Sequence, residues 1–150
     1  MRACYSPDYF VALPQGHRFP MGKFPALHRI LILQGFVRPD DVVAPFEAAW
    51  EDLLLVHTEG YLSGLKQSKL SRSTERRIGL PVSEALFRRS RLATQGTVEA
   101  GRMALEDGIA ANLAGGMHHG FPDHGEGFCV LNDVAVAVRV LRRSGRVSRI

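Results

Sequence analysis

A long amphipathic stretch that ends on glycine and runs straight into a short apolar segment constrains this chain more than any other feature. Ser83 is a good helix N-cap, helical periodicity continues to about Asp107, and Gly108 supplies a stop. Leu86, Ala93, Gly96, Thr97, Ala100 and Ala104 fall on one face, a stripe of mostly small residues that permits close packing on a sheet. Ile109 to Leu113 then reads as a short buried strand, closed by Gly115-Gly116. A second helix is predicted from about Asn132 to Arg143, stopped by Ser144-Gly145, and Val147 to Ile150 reads as the start of another strand. Helix, strand, helix, strand with buried strands means an α/β domain on a parallel sheet.

Upstream, Arg2 to Tyr5 reads as a strand followed by a loop punctuated by Pro7, Pro14, Gly16, Pro20, Gly22 and Pro25. Loops of that length are uncommon in compact domains unless they bind something. A helix is expected from about Pro25 to Gln34, with Gly35 closing it. Residues 46–67 look helical in two pieces, broken near His57-Thr58, where Thr58 can cap the second. Ser68 to Leu80 is polar, basic and without periodicity, so a surface loop is expected.

A length of 150 residues with 45% hydrophobic and 23% charged residues fits one domain with a core, not a disordered chain. No apolar run approaches the roughly 20 residues of a membrane helix, and Met1 to Pro7 lacks the apolar stretch of a signal peptide. Two cysteines, Cys4 and Cys129, make no disulfide framework. The expectation is a cytoplasmic protein without a membrane partner. The net charge is +4, with Lys66, Lys69, Arg72, Arg76 and Arg77 around the single acid Glu75, and five arginines and no acid after Asp133. Without interleaved aromatics or a nucleic-acid-reading motif, these read as solvated basic faces and make nucleic acid an unlikely partner.

Ligands of open parallel sheets bind at the carboxyl ends of strands. The strand ending near Leu113 enters a loop, residues 114–129, that holds three of the six histidines, His118, His119 and His124, and five glycines. Glycine lets backbone approach a ligand closely. Imidazole changes charge near neutral pH, so adjacent His118 and His119 at a strand end suggest proton transfer. In an extended segment their side chains are expected to point to opposite sides. His118, His119, Asp123, His124, Glu126 and Cys129 together are also a conceivable metal set, but lack the repeated tight spacings of zinc signatures. Taken alone, Cys129 reads as a small buried thiol and Phe128 as an ordinary core aromatic.

Gly115-Gly116-Met117-His118-His119 followed by Gly127-Phe128-Cys129-Val130-Leu131-Asn132-Asp133 resembles the tandem-histidine and glycine-phenylalanine-cysteine motifs of the histone deacetylase superfamily. The stretch Gly79 to Leu86 followed by Arg88, Arg89 and Arg91 is similar to class IV deacetylases and their bacterial relatives; Gly96-Thr97, Val56 to Leu62 and His17 to Met21 resemble further family segments. The resemblance implies an arginase/deacetylase-like α/β fold, a three-layer parallel sheet with helices on both faces, and zinc-dependent hydrolysis of an acetyl amide, in acetyl-lysine or a small acetylated amine. It implies His119 as general base and then acid, and His118 as a flanking histidine tuned by a carboxylate. It also implies Gly127 and Phe128 as the lining of a narrow substrate tunnel.

The chain departs from the family pattern in two ways. It contains no Asp-x-His, the family's metal-ligand motif, and Gly120 stands where a small alanine or cysteine commonly follows the histidines. The reading is therefore of residues 1–150 as the N-terminal part of one deacetylase domain, truncated at Ile150, with the zinc ligands expected beyond it and the chain alone inactive. The other reading is a non-catalytic basic binding module that retains part of the fold.

Overall fold

Three short strands pair in parallel in the order β2–β1–β3: β1 is Arg2–Cys4, β2 Val42–Val43 and β3 Ala110–Asn112. The computed structural model describes all of residues 1–150. Ala3 is in register with Val42 and Ala111, and Cys4 with Val43 and Asn112. Because side chains alternate across a strand, these two rows face opposite ways. The Ala3 row joins Val37 and Leu113 and packs under Leu31 and Ile32 of helix α1 (Lys23–Leu33). The Cys4 row meets the long helix α5 (Glu84–Asp107), where the Asn112 amide donates to the Ala93 carbonyl at 2.7 Å. Helices therefore cover both faces of the sheet, as the three-layer reading requires. Helix α6 (Asp133–Arg143) packs in turn on α5, whose Gly101 lets Leu141 approach closely.

The small-residue stripe explains the tight seat of α5. A methyl group built on Gly96 would lie 2.8 Å from Asn112 Oδ1 and inside contact distance of the Tyr9 hydroxyl. Caps stand where they were expected: Ser83 Oγ accepts from Leu86 N–H, and Gly108 closes the helix in the left-handed conformation at φ 83°. No helix of the chain is long and apolar enough to cross a membrane.

Three local expectations are corrected, and one short strand joins the elements expected. Residues 68–80 are not a plain loop but contain helix α4 (Arg72–Ile78), formed by its ends rather than by periodicity. Ser71 Oγ accepts from Thr74 N–H at 3.1 Å, Gly79 caps the far end at φ 74°, and Ile78 is fully buried. The first helical piece after residue 46 shrinks to α2 (Trp50–Leu53), while α3 (Glu59–Lys66) starts at Thr58 as expected. Strand β2 is too short for its alternation to register in sequence. Residues 147–150 form no strand; they have no neighbouring strand to bond.

Buried His57, 3% exposed, braces the segments that carry the histidine loop. Its Nδ1 lies 3.0 Å from the Phe121 carbonyl oxygen, which can only accept, so Nδ1 bears the proton. Nε2 then accepts the Asn132 N–H at 3.1 Å. Thr58 N–H donates to the Pro122 carbonyl beside it at 2.8 Å. Burial pushes the imidazole pKa below its ordinary value, against the pull of its backbone hydrogen bonds.

Two predictions follow from these contacts. Gly96→Ala should cost about 1–3 kcal/mol, as overpacking does, read as a lowered melting temperature; an unchanged melting temperature contradicts this seat for α5. His57 takes up a proton more readily unfolded than folded. Its contribution to stability is thus complete above the unfolded value of about 6.5 and is lost as pH falls through the lower folded value. The pH dependence of melting between about pH 7 and 5 should therefore flatten in His57→Gln, and an unaltered profile rules the brace out.

Candidate active site

The histidine loop leaves β3 over a chain of buried polar groups. Tyr9 Oη donates to Asn112 Oδ1 at 2.9 Å, Asn112 Nδ2 donates to Thr97 Oγ1 at 2.8 Å, and the Thr97 hydroxyl donates to Asp133 Oδ2. Asp133 is wholly buried at the first turn of α6. Its Oδ2 also accepts Gly116 N–H at 2.9 Å and its Oδ1 accepts Met117 N–H at 2.6 Å. The backbone immediately before His118 is thereby fixed from below. Gly115 fits because a methyl there would stand 2.7 Å from Thr97 Oγ1 and 3.0 Å from Asp133 Oδ2. Asn132 caps α6 through Oδ1, which accepts Ala135 N–H, and its Nδ2 reaches back to the carbonyls of His118 at 3.4 Å and Gly120 at 3.0 Å. A side chain at Gly120 would meet Asn132 N at 2.7 Å, which gives a steric reason for the glycine.

His118 and His119 lie on a turn, not on an extended segment, and this corrects the expectation that they point apart. Their ring centroids are 4.2 Å apart at an interplanar angle of 44°. Both are exposed. His118 Nδ1 lies 3.0 Å from the Gly116 carbonyl, and no carboxylate comes within 4.0 Å of either ring. The partner of His118 among these residues is thus a carbonyl and not the expected carboxylate. His119 packs beside Gly127: a methyl on Gly127 would lie 3.7 Å from its Cδ2.

Gly127 and Phe128 are held by the end of α4. Gly127 N–H donates to the Arg77 carbonyl at 3.1 Å and Phe128 N–H to the Ile78 carbonyl at 2.7 Å. Phe128 adopts φ 68°, a conformation that costs a residue of this size on the order of 1–3 kcal/mol and persists only where its surroundings enforce it. Here Phe19 sits 5.0 Å away, the Arg18 guanidinium 4.9 Å over the ring, and Gly79 against its edge. Phe128 is half-buried rather than a full core aromatic; Cys129 is buried and free, and burial pushes its thiol pKa up.

Under these residues is a cavity of ≈ 190 Å³ lined by Phe24, Arg89, Gly116, Met117, Gly127 and Phe128 among others. Arg89, 2% exposed, has no carboxylate within 4.0 Å. Its Nε donates to the Tyr9 carbonyl at 3.2 Å, Nη1 reaches Met117 Sδ at 3.6 Å, and the guanidinium lies 4.7 Å over Phe24. Burial lowers its pKa to about 10, still charged at neutral pH. A buried cation with no carboxylate in direct contact, and the charge of Asp133 acting on it only from a longer distance, suits a small anion beside it.

The structure brings His118, His119, Gly127 and Phe128 to one place. It does not bring the possible metal set together. His124 Nδ1 binds Asp123 at 2.7 Å and its Nε2 is 4.0 Å from Glu126, yet no three His, Cys, Asp or Glu residues converge on a point that would hold a metal. These residues do not by themselves fit a zinc ion. Sequence reasoning passed over Asp133, Arg89, Tyr9 and His57 as site residues. Arg89 had a signal: it falls three residues after Leu86 and four before Ala93, on the buried stripe, within what looked like a basic run. Tyr9 had none.

The family profile described as histone deacetylase domain matches residues 17–150. An uncharacterized protein of Picosynechococcus sp. is 44% identical over 148 residues, covering 97% of this chain and 49% of its own length. Histone deacetylase 2 of Arabidopsis thaliana is 32% identical over 155 residues, covering 97% of this chain and 40% of its own. Among solved structures, a histone deacetylase homologue complexed with SAHA superposes with a TM-score of 0.80 at 31% identity, over 96% of this chain and 41% of that one. The chain spans about half or less of the length of these proteins. With the tandem histidines, the Gly127–Phe128 wall and the parallel sheet all in place, the chain belongs to the histone deacetylase family.

Proposed function

We propose that residues 1–150 are the N-terminal part of a single zinc-dependent deacetylase domain, cytoplasmic, that hydrolyses the acetyl amide of acetyl-lysine or of a small acetylated amine. One observation carries this reading: His119 packs beside Gly127, which with Phe128 and Arg89 lines a buried cavity. A proton carrier, an apolar wall and an anion-holding group meet there. When bound by ligands supplied outside residues 1–150, zinc would polarise the acetyl carbonyl and acidify the attacking water.

The chain's own residues account for the rest. His119, whose ring makes no hydrogen bond within the chain, takes the proton of the attacking water and returns it to the leaving amine. His118, tied through Nδ1 to the Gly116 carbonyl, supports that charge from 4.2 Å. Phe128 packs on the alkyl stem of the substrate, with Gly127 giving its backbone room. The acetate released carries one negative charge, and Arg89 offers a guanidinium fork for it.

In the full gene product, His119→Ala should lower turnover about 10²–10⁴-fold, the usual contribution of general acid–base catalysis, with KM and melting temperature little changed. His118→Ala should cost less. A His119→Ala protein that keeps wild-type turnover refutes the assignment. A folded gene product that binds acetylated ligands and turns none over supports the second reading, a basic binding module.

A further inference from the structure

An open groove of ≈ 510 Å³, lined by His17, Arg72, Glu75, Arg76, Gly79 and Leu80, adjoins the Gly127–Phe128 wall. Gly79 is the shared element: its backbone lines the groove, and a methyl on it would touch Phe128 Cε1 at 3.1 Å. His17 Nε2 bonds the Gly79 carbonyl at 3.1 Å, and its ring meets Phe128 edge to face. Groove and wall are therefore one surface.

That surface carries an excess of positive charge, with Arg18, Arg72 and Arg76 against the single acid Glu75. Arg72 and Arg76 stand one turn apart on α4, and Arg18 lies over Phe128; none of the three has a carboxylate within 4.0 Å. The one acid of the groove, Glu75, spends Oε1 on the Val82 N–H at 3.2 Å. Like charges four residues apart disfavour a helix, and Arg72 also opposes the dipole of the helix N-terminus. Glu75, in the first turn, offsets part of both effects but makes no direct ion pair with either arginine. Across the wall, the acids of the other loop have a partner of their own: Asp123 binds His124, and Glu126 lies 4.0 Å from the same ring.

We propose that this groove receives a carboxylate side chain of the substrate, so that the preferred substrate is an acetyl-lysine segment flanked by Asp or Glu rather than a basic one. The inference rests on the deacetylase reading above. Guanidinium groups bind carboxylates through paired hydrogen bonds, and two unpaired arginines beside the wall would attract an acidic flank and repel a basic one.

The test uses the full gene product and three acetyl-lysine peptides of equal length, flanked by Glu, Gln or Lys. The kcat/KM should fall in that order, with Glu over Lys by roughly three- to tenfold at low salt and the gap narrowing as salt rises. Arg72→Glu/Arg76→Glu should reverse the Glu-to-Lys ratio and Arg72→Gln/Arg76→Gln should bring it towards one, so a folding defect in one variant does not hide the effect. Equal rates for the three peptides, or a preference for Lys, overturn the inference while leaving the hydrolase reading intact. If no peptide is hydrolysed, the acetyl-lysine form of the hydrolase reading fails and anisotropy of the labelled peptides decides the groove: tightest binding of the Glu peptide keeps its preference, and equal binding overturns it.

Discussion

The candidate site depends on one buried carboxylate. Asp133 takes three hydrogen bonds, from the backbone of Gly116 and Met117 and from the Thr97 hydroxyl. Those donors come from the histidine loop and from α5, while Asp133 itself starts α6. Three segments far apart in sequence are thus locked at a single side chain. A buried acceptor with its donors satisfied is neutral or better, but a buried donor left alone costs roughly 1–3 kcal/mol. The loop therefore has one low-energy path over Asp133, and His118 and His119 inherit their position from it.

The rest of the site is arranged around that lock. The polar chain from Tyr9 through Asn112 and Thr97 brings the first long loop into the same network. His57 braces the opposite side by holding Phe121 and Asn132 at once. Against this frame the left-handed Phe128 can be sustained, because Ile78 and Arg77 carbonyls hold the 127–128 backbone from α4. Strain of this kind is tolerated only where the surroundings determine the conformation. On the proposed hydrolase reading it would also serve a purpose, because groups already in position need no reorganisation during reaction.

Much of this was legible in the sequence. The small-residue stripe, Ser83 and Gly108 marked α5, and helices taking turns with short buried apolar segments pointed to the parallel sheet. The tandem histidines and Gly127-Phe128 marked the site because they are local in sequence. What was not legible is what comes from far away. α4 lacked periodicity because its ends and one buried residue, Ile78, hold it. Asp133 looked like an ordinary first-turn acid, and its true partners are 16 and 36 residues away. Tyr9 sits in a loop whose partner Asn112 is 103 residues on. The facing of the two histidine rings depends on a turn that follows from Asp133 and Asn132, not from the histidines.

The basic surplus also divides by place. Arg88, Arg91 and Arg143 find Asp8, Glu47 and Asp52, whereas Arg18, Arg72 and Arg76 by the Phe128 wall find no acid. Composition alone cannot separate the two sets, since the same residue type serves both. The lock at Asp133 is the more fundamental feature, because the wall and its neighbours matter only if the histidine loop is held in place. Residue-resolved amide hydrogen exchange on the full gene product measures that directly. Gly116 and Met117 amides should be protected to a degree approaching the middle of α5, and Asp133→Asn should speed both by about tenfold or more while leaving α5 unchanged. Exchange of these two amides as fast as an exposed loop in the unaltered protein would contradict it.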